Sequence, residues 1–253
     1  MICTGFVWAM VAAVSPHLCL AEYQRLGGEA WLLPYDGQAL LIRKAPDQKV
    51  QVGLKSLTPA VGVRRLLLLG FKVEDADLQA IASWHWLEQV EVIDGKQITD
   101  KGVKALIALP NLQELVLADT AVTANGVSAF SGHKKLTLLT ITNTVVDNCV
   151  KSFDLKELPN LRGVTLVCEG LTTVRLTKLP KLEWIADFPT ELEQAELSDL
   201  PSLTALDFSG TRLKKLSLTG VGKLDSLDLR KTRLDVKIIV DIKKSFPGVK
   251  IQK

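Results

Sequence analysis

The sequence is poor in the residues and motifs that carry most enzyme chemistry. Its three histidines, at positions 17, 85 and 133, lie far apart, and the spacing of its four cysteines does not suggest zinc. It contains no G-x-S-x-G, no H-E-x-x-H and no glycine-rich phosphate loop. We therefore expect a non-catalytic protein with no catalytic residue, no metal site and no cofactor.

The chain also has little excess charge of either sign. Thirty-one Lys and Arg residues stand against 28 Asp and Glu residues, and a net charge of +3 does not by itself indicate a binder of nucleic acid or membrane. The segment from Arg230 to Lys253 holds eight basic and two acidic residues, a surplus of six that leaves the remainder at about −3. Nucleic-acid binding is thus not the main expectation. Contact of Lys237, Lys243 and Lys244 with an anionic polymer, lipid or nucleic acid remains an alternative.

A membrane-spanning run is missing as well. The apolar run from Phe6 to Val14 has nine residues, too few to cross a bilayer as a helix. Residues 1–21 instead resemble a secretory signal with cleavage after Ala21, which predicts an exported protein with no transmembrane segment in the mature chain. No Lys or Arg precedes the run, so a mis-assigned start or a buried N-terminal segment, with a cytoplasmic protein, is the alternative. Cleavage would leave Cys149 and Cys168, either as separate buried thiols, which we favour, or as one disulfide.

The sequence repeats an apolar triplet many times. Two residues separate its first and second members, and one residue separates its second and third members, as in Val63, Leu66 and Leu68. The triplets start at positions 63, 87, 112, 136, 161, 182, 203 and 224, so the spacing is 24 or 25 residues at first and 21 residues later. The last two members of a triplet alternate with an outward residue, as in a short strand. Eight units therefore predict eight strands in a parallel stack.

These units resemble leucine-rich repeats, whose pattern is L-x-x-L-x-L-x-x-N/C-x-L, with Thr120 and Thr211 where many members carry Asn or Cys. The segments Ile98 to Val103 and Val122 to Val127 resemble the cysteine-containing, or ribonuclease-inhibitor-like, subtype. The chain is also similar to repeat proteins that many bacteria export. The resemblance covers residues 63–253 and implies an α/β solenoid with a parallel β-sheet. It is specific for the fold and not for a function.

The two halves of the array differ in unit length. In the 24- and 25-residue units, Asp75, Thr99 and Thr123 stand at helix N-cap positions before runs with helical apolar spacing, which predicts outer helices. The 21-residue units have no room for such helices and repeat the triplet midway, which predicts a second strand per coil and a more β-rich second half. The second triplets are Leu171-Val174-Leu176, Leu192-Ala195-Leu197 and Leu213-Leu216-Leu218.

One unit departs from the pattern. In the unit from Leu182, Asp187 occupies the second inward strand position and is followed by Phe188-Pro189. A buried carboxylate and a proline are both unfavourable in a central strand. The sequence therefore predicts a strand that is broken or shifted by one residue.

The remaining segments are interpreted as the ends of the solenoid. Residues 1–21 form the signal, 22–62 an N-terminal cap with a strand at Ala39 to Ile42, and 63–234 the eight repeats. Residues 235–253 form a C-terminal cap, in which Val236, Ile239, Ile242 and Phe246 have helical spacing before a last strand.

The outward strand positions predict where a partner binds. Both ends of the array carry polar or charged residues there, whereas the middle is mostly apolar, and an apolar centre with a polar rim is typical of a protein contact surface. Trp184 is the best single candidate, unless its irregular unit rotates it inward. Self-association of a structural envelope or scaffold protein is the alternative function, and the partner and the oligomeric state stay open. The candidate partner-binding residues are Val116, Leu138, Thr140, Thr165, Trp184 and Ala186.

Overall fold

The computed structural model describes residues 24, 29–32, 39–43, 54, 62–70, 72–143 and 151–253. The strands in these ranges are β1 (Glu29–Leu32), β2 (Ala39–Arg43), β3 (Arg65–Leu69), β4 (Gln89–Ile93), β5 (Glu114–Ala118), β6 (Leu138–Asn143), β7 (Ser152–Lys156), β8 (Gly163–Cys168), β9 (Thr173–Thr177), β10 (Trp184–Ala186), β11 (Gln194–Ser198), β12 (Ala205–Asp207), β13 (Lys215–Thr219), β14 (Ser226–Asp228) and β15 (Lys250–Gln252). The helices are α1 (Asp75–Ile81), α2 (Asp100–Leu106), α3 (Ala124–Ser128) and α4 (Val236–Ser245).

One strand from each of the six coils that start at positions 63 to 182 joins the front sheet, together with β1 and β2. Its eight strands lie in the order β1-β2-β3-β4-β5-β6-β8-β10, and every pair is parallel except the hairpin β1-β2. A second group, β12-β14-β15, is also parallel. The parallel stacks with few helices confirm the predicted α/β solenoid.

The core lies behind the front sheet and is built from the inward members of the triplets. Leu66 and Leu68 of β3 are at most 1% exposed, and the equivalent residues of β4, β5, β6 and β8 are buried to the same degree or nearly so. A single apolar cluster extends from Ala30 to Ile242. Because full burial of a Leu or Val side chain contributes about 1.5–3 kcal/mol, this column is the main source of the stability of the stack.

Helices cover the back of the first coils, as the sequence predicts. Thr99 caps α2 and Thr123 caps α3, and each hydroxyl oxygen accepts a hydrogen bond from the backbone N–H two residues later. The prediction for Asp75 is wrong, because Glu74 is the N-cap of α1 and Asp75 is its first residue. A capping box between Glu74 and Asp77 satisfies the end of α1, so the side chain of Asp75 is available for another contact.

That contact is a clamp between neighbouring coils. The carboxylate of Asp75 accepts hydrogen bonds from the Thr99 N–H at 2.8 Å and from the Thr99 hydroxyl at 2.6 Å. Asp100 binds Thr123 in the same way at 2.7 and 2.6 Å. A Cβ atom at Gly102 would overlap Oδ1 of Asp75, and one at Gly126 would overlap Oδ1 of Asp100. The clamp therefore explains the glycine three residues after each capping threonine.

A second sheet replaces the helices at the back of the later coils. Its order is β7-β9-β11-β13, and all neighbours are parallel. The predicted second strands are confirmed as β9, β11 and β13. The sheet begins one coil earlier than expected, because Phe153 and Leu155 of β7 are buried in register with Val174 and Leu176.

The irregular unit interrupts the front sheet. Strand β10 keeps its register with β8, so the strand is not shifted, but it ends at Ala186 and no ladder in the described structure joins it to β12. Asp187 is exposed with φ of 61° instead of pointing inward. The Phe188 ring stacks on Phe208 with centroids 4.7 Å apart, which keeps apolar contact across the break.

The C-terminal segment forms α4 and β15. Asp235 caps α4 by accepting a hydrogen bond from the Lys237 N–H, and Ile239 and Ile242 are buried. Val236 is 61% exposed, so the apolar face of the helix is narrower than its spacing suggests.

Several predictions concern residues outside the described ranges. Residues 1–21, and with them the signal, belong to this group, as does Cys149. Cys168 is buried, and its thiol donates a hydrogen bond to the Ile141 carbonyl oxygen at 3.6 Å. No helix in the described residues is long and apolar enough to span a bilayer.

Candidate functional site

The outward side chains of the front sheet form rows that cross the strands. One row contains Glu114, Leu138, Gly163 and Trp184, which are direct lateral neighbours in the register. The next row contains Val116, Thr140, Thr165 and Ala186. The structure thus brings all six candidate residues onto one face of strands β5, β6, β8 and β10.

Trp184 points outward, and the inward rotation considered from the sequence does not occur. It is 41% exposed, whereas the adjacent Ile185 packs against the core. A Cβ atom at Gly163 would overlap atoms Cζ2 and Cε2 of the indole, so the ring lies directly over the Gly163 backbone. Gly163 on the neighbouring strand therefore makes room for the Trp184 ring, because it has no side chain.

A third row extends the same surface and was missed from the sequence. Ala118, Thr142 and Val167 are lateral neighbours one step further along β5, β6 and β8. Val167 is 41% exposed, like Trp184. The period-2 alternation of the strands could have identified this row, because each member follows a candidate residue by two positions. We define the front patch as Val116, Ala118, Leu138, Thr140, Thr142, Thr165, Val167, Trp184 and Ala186.

The front patch has carboxylates on both sides. Glu91 and Glu114 flank it towards the N-terminus, and Asp207 lies beyond the break in the sheet. Arg162 forms a bidentate ion pair with Glu183, at 3.0 and 3.1 Å, where β8 and β10 begin. Between β4 and β12, no Lys or Arg occupies an outward position of the described front strands. The surface is therefore apolar at its centre and negative at its margin.

A depression adjoins the front patch at the break. Its volume is about 660 Å³, and it lies between residues 167–170 and residues 187–191. Glu169, Asp187 and Glu191 contribute three carboxylates to its lining, and Val167 belongs to both the depression and the front patch. The hydrogen bond from Thr190 lowers the pKa of Glu191, and the neighbouring Arg212 acts in the same direction, so this carboxylate is charged at neutral pH.

His133, Asp75 and Asp100 make hydrogen bonds that hold the fold together. His133 is buried, with Nε2 at 3.1 Å from the Leu109 carbonyl oxygen, and Nδ1 accepts from the Leu136 N–H at 3.2 Å. Asp75 and Asp100 are engaged in the interhelical clamps. Among the residues described, no group of three or more His, Cys, Asp or Glu could hold a metal ion.

Comparison with known proteins gives distant structural similarities. No protein-family model matches the chain, and no curated protein matches it. Among solved structures, it is similar to an internalin from Listeria monocytogenes, with 16% sequence identity and a TM-score of 0.31. The alignment covers 85% of this chain and 86% of the internalin chain.

Proposed function

We propose that this protein is a non-catalytic interaction module that binds a protein partner on the front patch. The observation that carries the proposal is the exposed indole of Trp184, seated on Gly163 within an apolar surface that has a polar margin. Tryptophan is among the side chains that contribute most to protein interfaces, and such residues cluster near the centre of the contact.

The position of the patch on paired strands supports the same function. Its nine residues lie on β5, β6, β8 and β10, whose backbones are fixed by the ladder and by the buried column behind them. Because these groups are already ordered, binding costs less conformational entropy than it would on a loop. The narrow width of each coil means that a partner must span several coils to cover the patch.

A capture experiment tests the proposal. The chain, Trp184→Ala/Leu138→Ala and Ile107→Ala are immobilised and exposed to envelope and secreted fractions of the source cell. Ile107 is 36% exposed at the end of α2, so its variant is a matched control on the back of the molecule. We expect a partner that the parent and Ile107→Ala retain and the double variant loses. Equal capture by all three would contradict binding on the front patch.

Self-association is the competing function, and it has a distinct signature. At the C-terminal end, β13 and β15 each pair on one side only within the described residues, and such edges are sites of strand pairing between chains. Sedimentation velocity at micromolar concentration separates the two functions. A monomer supports the interaction module, whereas a concentration-dependent oligomer unaffected by Trp184→Ala supports the scaffold.

We further propose that the protein acts outside the cytoplasm, after cleavage behind Ala21. The support is the apolar run of residues 6–14 followed by Ser15-Pro16 and small residues before the cleavage position. Mass spectrometry of the protein recovered from its native source tests this. A mature chain that begins at Glu22 is expected, and an intact N-terminus in the cytosolic fraction would contradict export.

A further inference from the structure

We infer that the partner binds through an extended segment in which an apolar side chain lies next to a Lys or Arg. Successive apolar side chains of the segment cover Trp184 and Val167, which lie about 13 Å apart along the strands. The cation next to the side chain on Val167 enters the depression lined by Glu169 and Asp187. This inference rests on the proposed function and specifies the chemistry of the partner that the front patch recognises.

The front patch and the depression form one continuous surface. Val167 is the outermost described residue of the third row, and it also lines the depression. A segment lying across Trp184 and Val167 therefore reaches the depression with its next residues, without leaving the protein surface. With a volume of about 660 Å³, the depression has room for a long side chain.

The depression carries negative charge that no ion pair in the described structure compensates at Glu169 or Asp187. Glu169 and Asp187 are exposed, and no ion pair involves either of them in the described structure. Three basic residues of the surrounding coils have partners elsewhere: Arg175 with Glu196, Lys178 with Glu157 and Lys181 with Asn160. Arg212 lies beside Thr190 and lowers the pKa of Glu191, so the position for a further cation is at Glu169 and Asp187. The depression thus attracts a cation.

The carboxylates around the front patch favour a basic polypeptide over a nucleic acid or an anionic lipid. A nucleic acid or an anionic lipid would place phosphates beside Glu91, Glu114, Glu169 and Asp187, which like-charge repulsion disfavours. A polypeptide with alternating apolar and basic residues meets both the apolar rows and the carboxylates. The basic surplus of the chain lies instead near its C-terminus, in residues 230–253, none of which belongs to the front patch.

The probes are three labelled peptides that differ in one feature. The first alternates leucine with arginine, the second replaces each arginine by citrulline, and the third replaces each arginine by glutamate. Binding to the intact chain is measured by fluorescence anisotropy. We expect the arginine peptide to bind about tenfold more tightly than the citrulline peptide, because a charge-assisted hydrogen bond to a carboxylate is lost. The glutamate peptide should bind weakest.

Matched variants locate the effect. In Asp187→Asn/Glu169→Gln, the preference for arginine over citrulline should fall from about tenfold to about onefold, since both charges are removed. Asparagine tolerates the positive φ of residue 187, so the backbone is retained. Asp199→Asn is the control, because Asp199 has the same left-handed conformation, with φ of 56°, at the end of β11 in the back sheet. It should leave all three affinities unchanged.

The outcomes separate this inference from the proposed function. Equal binding of the arginine and citrulline peptides, weakened by Trp184→Ala, overturns the inference and leaves the front patch as a binding surface. An arginine preference that survives Asp187→Asn/Glu169→Gln also overturns it. So does the absence of binding by the arginine peptide at millimolar concentration, or tighter binding of a polyanion such as a single-stranded oligonucleotide to the same patch.

Discussion

The coils backed by helices and the coils backed by strands solve the same packing problem with different numbers of residues. Helix α2 has seven residues and advances about 10 Å, whereas β9 has five residues and advances about 16 Å. A helix therefore needs more residues per unit length at the back of a coil, and the first three units, of 24 or 25 residues, supply them. The units of 21 residues have a strand there, as does the 25-residue unit from Leu136, whose back strand is β7.

The two regions also differ in what links one coil to the next at the back. The helix-backed coils are linked by side chains, through the clamps Asp75–Thr99 and Asp100–Thr123. The strand-backed coils are linked by a continuous backbone ladder through β7, β9, β11 and β13. This difference explains how the second region tolerates the break between β10 and β12: the back sheet continues where the front sheet does not.

The largest predicted effect tests whether the back sheet holds the coils together at the break. Leu197 of β11 is 1% exposed, and Leu197→Ala should lower the free energy of unfolding by about 2–5 kcal/mol. Ile185→Ala, at the broken front strand β10, should cost less than half as much, because Ile185 is only partly buried. Urea unfolding followed by circular dichroism measures both. An equal loss for the two variants would contradict this division between the sheets.

An intermediate effect is expected for the clamp in the helix-backed coils. In Gly102→Ala the new Cβ would overlap the Asp75 carboxylate and lie 3.0 Å from Asp75 Cα, which should cost about 1–3 kcal/mol. Gly222→Ala is the control, because nothing lies within 4 Å of its Cβ position. Thermal unfolding of both variants checks the prediction. Equal melting temperatures of the two variants would mean that Asp75 moves aside with no loss of stability, which contradicts the prediction.

The smallest expected effect is a pH dependence of the folding stability, which comes from carboxylates in the strand-backed coils. The Lys214 hydrogen bond lowers the pKa of Glu193, and the Arg230 hydrogen bond lowers the pKa of Asp228. A carboxyl group with a lowered pKa stabilises the folded state above its ordinary pKa, which is 4.5 for Glu193, and this stability is lost as the pH falls through the folded value. Glu193→Gln should therefore make acid unfolding slightly shallower below about pH 4.5. Identical acid titrations of variant and parent would refute this contribution.

The fold could be predicted further from the sequence than the site could. The triplet period determines which residues face inward, and the register of β3 to β10 follows the predicted units one for one. The N-cap prediction for Asp75 was wrong because an acidic residue at the start of a helix can either cap that helix or accept hydrogen bonds from the next coil. Only the neighbouring coil distinguishes the two, through Thr99.

The candidate site depended on contacts that one strand does not encode. The alternation places Trp184 on the outward side, but the seat provided by Gly163 comes from the adjacent strand. The depression at Glu169 and Asp187 likewise requires the break in the front sheet, which the sequence indicates only as an irregularity.

The most direct test of binding at the front patch is the affinity of the captured partner, measured by calorimetry for the parent, Trp184→Ala and Ile107→Ala. We expect a loss of about 2 kcal/mol or more for Trp184→Ala, roughly thirtyfold in Kd, and an unchanged Kd for Ile107→Ala. Equal affinity of Trp184→Ala and the parent would contradict the claim that the front patch is the binding surface.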